Sequence, residues 1–561
     1  MQTIRQRCEK KRAVLDQQRQ SFVPHWRELS EYIDPRRGRF VTSDWNRGEK
    51  RNSKIINSTA TYSKRVLAAG MANGITSPAR PWFRLMTPDP ELMEYAPVRN
   101  WLYAVETRMR MAFSKSNLYT VMPTFYGELG TFATSAMCML EDDQTTFRFY
   151  PYTIGSYCLA QNERLEVDTI YRDKVNLTVR QLVTMFGLDA VSLTVRNMWD
   201  RGDYEKAIDV AHVVQPRLGR DPTKIDNLNM PFESIWYELG TGGTNNDLGV
   251  LHESGFDQFP VLAARWETTA EDVYGTTCPG MVTLGDVKQL QHEERRKAQA
   301  IDKHVDPPMK ASPSLRNQYS SIVAGGITYV ESGQGNDGFS PAIQISPQAI
   351  VALRESIMNI EGRVQRGWFE DLFLQLANDT RSNTTAHEIA LRHEEKLLML
   401  GPVLERTNSE VLDRMIDRAF SIMLRRGMFP EPPEELQGED LRVEYISVLA
   451  QAQKMVSLGA MDRFVQFAGA VATLKPQAVD KVDGDQMLDE YADALGVPPT
   501  VVVSDDAVEA KREADAQQQQ MMQTAAAAQP AAQMIGALSK ANMSEDTALT
   551  RMAANLTGAP I

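Results

Sequence analysis

Cysteine is scarce in this chain, with four in 561 residues: Cys8, Cys138, Cys158 and Cys278. They are widely spaced and never form a C-x-x-C pair. A zinc site or a disulfide framework needs closer grouping or a small secreted chain, so the four read as reduced packing residues. Long apolar runs are missing too. No stretch approaches the ~18 consecutive apolar residues of a membrane helix. The N-terminus, Met1 to Arg12, carries no apolar core behind its basic residues, so a secretory leader is not expected. These features place the chain in the cytoplasm where it is made. A basic excess is also lacking: 61 Lys and Arg against 73 Asp and Glu give a formal net charge of −12. Proteins that grip duplex DNA usually carry a basic surplus, because each neutralised phosphate adds affinity. The chain as a whole is not such a binder, though it is free to surround DNA without holding it.

Catalytic signatures are missing as well. No G-x-x-x-x-G-K-[ST] run and no G-x-S-x-G elbow occurs. Gly333 to Gly338 matches G-x-G-x-x-G, but a dinucleotide site needs a helix opening at those glycines. Phe339-Ser340-Pro341 and an extended run follow, so the segment reads as a hairpin tip. His387-Glu388 and His393-Glu394 evoke a zinc helix, yet the two histidines stand six apart, roughly 120° around a helix rather than on one face. Asp480, Asp483, Asp485 and Asp489 lack the glycine and glutamate of a calcium loop, since those positions hold Asp485 and Tyr491. No catalytic residue, cofactor or metal is expected, and the chain reads as a non-enzyme.

What is present is an ordinary globular balance, 42% apolar and 24% charged residues, over a length that suggests three or four domains. Leu15, Phe22, Trp26, Leu29 and Ile33 form one helical stripe, with a kink or a split expected at Pro24. The basic run Arg36, Arg37, Arg39 beyond Pro35 reads as a solvated loop. Helices are expected over 56–72, 97–116 and 119–140, followed by strands over 147–150, 154–159 and 165–171. Thr178 and Gln181 open a short capped helix that stops at Gly187. Strands return at 208–214, 232–239 and 248–254. Residues 1–283 therefore make a mixed α+β body.

Beyond Leu284 the character changes. A charged helix to His304 ends at Pro307-Pro308, and residues 305–346 are rich in Pro, Gly and Ser around one β run, Gly326 to Val330. A second helix is expected over 347–376. After a polar break a third runs over 385–426, roughly 60 Å long at ~1.5 Å per residue. A kink is expected where Pro402 crowds the carbonyl of Leu398. A smaller helical unit over 441–496 and a low-complexity tail with Gln517 to Gln520 and Ala525 to Ala528 complete the chain.

Three stretches resemble the bacteriophage head-to-tail connecting (portal) family of short-tailed phages. They are Ile75 to Leu85 (ITSPARPWFRL), Glu163 to Gly187 (ERLEVDTIYRDKVNLTVRQLVTMFG) and Thr384 to Arg406 (TTAHEIALRHEEKLLMLGPVLER). The third resembles a T-A-T-E-V helix start followed by E-K-L-x-x-L-G-P-V, departing from it by His387 for Thr and Ile389 for Val. The resemblance covers most of residues 1–500 and not the tail. It implies a helix-rich α+β portal fold assembling as a homo-dodecameric ring at one capsid vertex of the virion, put together in the host cytoplasm. The α+β wing would be 1–283, the stem helices 284–304 and 347–377, and the clip 305–346. The tunnel loop would be 378–384, the long kinked channel helix 385–429 and the helical crown 430–500, with 501–561 a helical or disordered tail. Such a ring would be the conduit for genome packaging and ejection. Implied partners are the terminase large subunit, tail adaptor proteins, capsid and scaffold proteins, and double-stranded DNA passing with weak, non-specific contacts. Candidate channel residues are Arg381, Ser382, Asn383 and Thr384. Lys310 and Arg316 are candidates in the clip. Glu293, Glu294, Arg295, Arg296, Lys297 and Lys303 are candidates for stem contacts between subunits. The rival readings are a tail-adaptor ring without a packaging role and a nucleic-acid-processing enzyme.

Overall fold

The computed structural model describes residues 3–35, 37–38, 40, 52–89, 92, 95–224, 226–240, 249–311, 339–342, 345–378, 400–436 and 441–445. Beyond these it describes short pieces within 464–520, chiefly the helical 511–520. Two compact units result: Met1–Pro88 with Asn100–Ser457, and Asp89–Arg99 with Leu458–Ile561. The elements below belong to the first unit, except that one helix begins in the second.

The N-terminal stripe folds as two helices. In α1 (Ile4–Gln20) Thr3 and Gln6 form a reciprocal capping box. Helix α2 (Val23–Tyr32) begins afresh with Pro24 in its first turn, where the missing N–H costs nothing. Helix α1 lies on one face of a five-stranded antiparallel sheet of order β4-β5-β6-β7-β8. Its strands are β4 (Tyr157–Gln161), β5 (Val167–Thr178), β6 (Ala207–Pro216), β7 (Phe232–Glu238) and β8 (His252–Phe256). Alternation along β6 decides which layer each residue joins. Ala211 and Val213 pack with Cys8 and Leu15 of α1, while Val210 packs with Val179, Leu182 and Val195 of the two short helices α6 (Val179–Phe186) and α7 (Leu193–Asp200). The expected capping box at Thr178 is present; α7 was not anticipated. The expected strand over 154–159 begins only at Tyr157, after a turn at Gly155.

A second, three-stranded sheet has the order β3-β2-β9. Its strands are β2 (Thr134–Asp142), β3 (Thr146–Tyr152) and β9 (Val261–Arg265). Here the helix expected over 119–140 is corrected. Helix α5 (Leu118–Phe132) stops where Ala133 turns left-handed at φ 60°, and the chain continues as the central strand. Ala136, Met137, Cys138 and Met139 are all fully buried, so the segment shows no alternation that would have marked it as a strand. Helices α3 (Thr59–Ile75) and α4 (Ala96–Lys115) complete the body; α3 starts and stops three residues later than expected. The helices cross tightly. A methyl placed on Gly70 would lie 2.2 Å from the Phe373 ring, and one on Gly130 2.4 Å from Leu67.

Helix α8 (Pro279–Val305) and helix α9 (Pro347–Gly367) run antiparallel. Arg363 reaches Asp286 at 2.9 Å at one end, and His304 reaches the Ile345 carbonyl at 3.1 Å at the other. Strands β10 (Met309–Ala311) and β11 (Phe339–Pro341) pair beyond that end and close the base of the Pro/Gly-rich insert. The expected β run at 326–330 and the Gly-rich tip at 333–338 lie outside the described residues.

The helix expected to continue to Leu376 is corrected too. It breaks at Trp368 and Phe369, the latter at φ 55°, and restarts as α10 (Glu370–Asn378). Trp368 is fully buried, and its indole N–H donates to the Thr283 hydroxyl at 3.0 Å. Glu370 accepts from the Ser63 hydroxyl. Burying that tryptophan against α8 outweighs helix continuity.

The chain is helical again over 400–425, Gly401 and Pro402 included, with one π turn at Asn408–Leu412 before α11 (Asp413–Arg425). The carbonyl of Leu398, where the kink was expected, lies outside the described residues. The helical unit expected from Leu441 is corrected at its start. Residues Arg442–Tyr445 form β12, paired antiparallel with β1 (Phe83–Met86).

Candidate subunit interface and DNA-facing residues

The α8–α9 pair is anchored to the body at one end and carries exposed residues toward the other. Gln291, buried on α8, accepts from the backbone N–H groups of Ile56 (2.6 Å) and Asn57 (2.8 Å) and donates to the Asn57 carbonyl (2.9 Å). The Asn57 amide in turn donates to Glu361 on α9 (2.7 Å) and Glu294 on α8 (3.2 Å). One short polar segment thus pins both helices to the body. Sequence reasoning missed this clamp, because Ile56 and Asn57 lie more than 200 residues from Gln291, Glu294 and Glu361 and form no motif with them.

Past the clamp the helices become exposed on most sides. Ile301, Val305, Met309, Val351 and Met358 are all exposed large apolar residues, Val305 at 76%. A single exposed apolar residue is unremarkable, but four on the two helices and a fifth on β10 at their far end suit burial by another protein surface.

The six stem candidates divide within this geometry. Glu294 and Lys297 pair with each other at 2.6 Å and are partly buried, and Glu294 also holds Asn57. Glu293 is half-buried and accepts from Gln289 at 2.7 Å. Arg295, Arg296 and Lys303 are exposed. In the clip, Lys310 lies exposed on β10, while Arg316 is outside the described residues. Arg381, Ser382, Asn383 and Thr384 are outside them as well.

Among the described residues one group of metal-ligand atoms comes together: Asp16, Cys158 and Asp173. Its centre is already occupied by a cation of the chain itself. The Arg19 guanidinium donates to Asp173 at 3.0 and 2.9 Å, to Asp16 at 2.5 Å and to the Gly155 carbonyl at 3.1 Å. Burial pushes the Cys158 thiol up to about 12, so it stays protonated and is a poor ligand. This group ties α1 to the sheet; with Arg19 in place it is not a metal site.

The described residues form an α+β body with a two-helix stalk, closed at its far end by a short strand pair. The family model described as "Bacteriophage head to tail connecting protein" matches residues 5–502. The chain belongs to that family. Within the head-to-tail connecting family, its relatives include the "Portal protein" of Salmonella phage epsilon15, 48% identical over 560 residues, covering 100% of this chain and 99% of that one. The "Probable portal protein" of Bordetella phage BPP-1 is 43% identical over 533 residues, 95% of each chain. A solved chain titled "Virion of native gene transfer agent (GTA) particle" aligns over 79% of this connector-family chain and 91% of its own length, with a TM-score of 0.34 and 9% identity, too low to bear on the fold. Among the described residues, no helix is long and apolar enough to cross a membrane.

Proposed function

We propose that this chain is the portal subunit of a phage virion: a non-enzymatic protein that closes into a ring of twelve at one capsid vertex, passes the genome inward during packaging and outward during ejection, and docks the terminase large subunit and then tail adaptor proteins. The observation that carries the reading is the 48% identity, over its full length, to a chain named portal protein. Two physical features agree with it. A closing ring needs a heterologous interface, and the stalk offers exposed apolar residues together with the exposed cations Arg295, Arg296 and Lys303. Twelve copies at −12 each carry −144 formal charges, so a DNA duplex would pass a predominantly anionic object with little sticking. Weak phosphate contacts are assigned to Arg381, Ser382, Asn383 and Thr384 in the segment joining α10 to the last long helix, and to Lys310 and Arg316 in the insert.

Native mass of the purified chain tests the ring. Twelve 63.0 kDa subunits give a species of about 756 kDa. A strict monomer at every concentration, together with virion vertices that lack the protein, would remove the proposal.

A further inference from the structure

A groove of about 750 Å³ opens between the end of β2, the connection from β6 to β7, the end of β8 and helix α11. Arg418 forms part of its wall and is only 4% exposed. Its guanidinium donates to the Met139 and Gln258 carbonyls at 3.0 and 3.1 Å and lies over the Phe256 ring at 5.6 Å. Among the described residues no carboxylate lies at ion-pair distance from it, and Glu141 and Asp257 act on it from further away. The two nearest acids in the groove, Glu141 and Asp257, are both engaged by Arg425, at 2.6 and 3.7 Å. Arg220 and Lys224 stand exposed on the rim; Arg220 has no ion pair among the described residues, and Lys224 has only its neighbour Asp221 at 3.7 Å. Buried charges in proteins are normally paired, so a desolvated guanidinium lining a groove calls for an anion from outside the subunit.

The same subunit displays a matching anion at the other end of the same sheet. Residues 267–276 form a loop closed by the Glu267–Thr276 bridge, with its turn at Ala270 held left-handed at φ 48°. Glu267, Glu271 and Asp272 are exposed on it and have no ion pair among the described residues. The loop follows Arg265, which pairs with Thr134 at the start of β2, whereas the groove takes in Leu140 and Glu141 near its end. At ~3.3 Å per residue the two sites are about 20 Å apart along one strand, too far to meet within a subunit. Two different, complementary patches at opposite ends of one rigid sheet are what a heterologous, ring-closing contact uses.

We propose that the 267–276 loop of one copy docks its carboxylates into the Arg418 groove of the next copy. This contact rests on the ring reading above and gives it a specific pair of surfaces. The four native cysteines are buried, so introduced thiols can be addressed selectively. The test uses the full-length chain carrying Lys224→Cys and Asp272→Cys, treated with a short thiol-to-thiol cross-linker. The expected result is a ladder from dimer upward, while a mixture of the two single variants stops at dimer. Glu271→Lys with Asp272→Lys should reduce the ring fraction at least tenfold, and adding Arg220→Glu with Lys224→Glu should restore it. Rings that form by native mass without any ladder overturn this contact and leave the ring intact. A cross-link confined to the monomer, or residue 224 captured by a different virion protein, overturns it as well. Absence of rings under every condition overturns both.

Discussion

Arg19 offers the sharpest test of how the body is held. Its side chain is 2% exposed and makes four hydrogen bonds, two of them a bidentate pair to Asp173, itself 7% exposed. Arg19→Met keeps the aliphatic stem and removes the cation, leaving Asp173 with Arg12 at 3.9 Å as its remaining charge partner. Stranding a buried carboxylate in this way costs about 3–5 kcal/mol. Asp16 is about one-third exposed, so it turns to water and adds little. Replacing both members, Arg19→Met with Asp173→Leu, removes the stranded charge and should recover most of the loss, because well-packed apolar residues often replace a buried ion pair at little or no cost. The assay is urea unfolding of the full chain, followed by tryptophan fluorescence and by amide exchange over residues 4–20 and 157–178. The expected signature is a strongly non-additive cycle, with the double variant at least 2 kcal/mol more stable than Arg19→Met. A single variant that loses less than about 1 kcal/mol, or a double variant no better than the single, would refute the reasoning and mean that water already reaches Asp173.

Two further outcomes follow from particular residues. Burial raises the Glu128 carboxyl from its ordinary range to about 7, with Arg37 pulling it back only in part. A carboxyl raised on folding binds its proton more tightly in the folded state, so stability should fall as pH rises from about 4.5 to about 7, by roughly 3 kcal/mol at 1.36 kcal/mol per unit. Glu128→Gln should flatten that part of the pH profile of the urea midpoint, and an unchanged slope would show that the carboxyl is not desolvated. For the insert, replacing residues 312–340 with a Gly/Ser linker should leave rings intact and abolish docking of the packaging motor in a binding assay. Unimpaired docking would move the motor site elsewhere; neutralising Arg381 should change the length or retention of packaged DNA, and unchanged packaging would remove the loop assignment.

Much of the architecture was legible because it rests on local chemistry. The capping box at Thr178 and Gln181 depends only on residues three apart, and the sequence marks it directly. The two helices on either side of residues 305–346 follow from Pro307, Pro308 and Pro347, which act where they stand. The net charge of −12 and the missing phosphate loop are properties of the chain itself, and they steered the reading away from an ATPase or a tight DNA binder.

Tertiary structure decided what depends on neighbours distant in sequence. Residues 134–142 are a strand because β3 and β9 supply hydrogen bonds on both sides, and the unbroken apolar run Ala136–Leu140 gave no period from which to infer it. The second stalk helix breaks at Trp368 because Thr283, 85 positions earlier, accepts its indole N–H in the core. Asp16, Cys158 and Asp173 converge on Arg19, and Gln291 and Glu361 converge on Asn57, only after the helices have packed. A lone guanidinium such as Arg418 looks like any surface arginine in the sequence. Its burial beside a groove with no carboxylate at ion-pair distance among the described residues, and with it the case for a neighbouring copy, exists only in the folded chain.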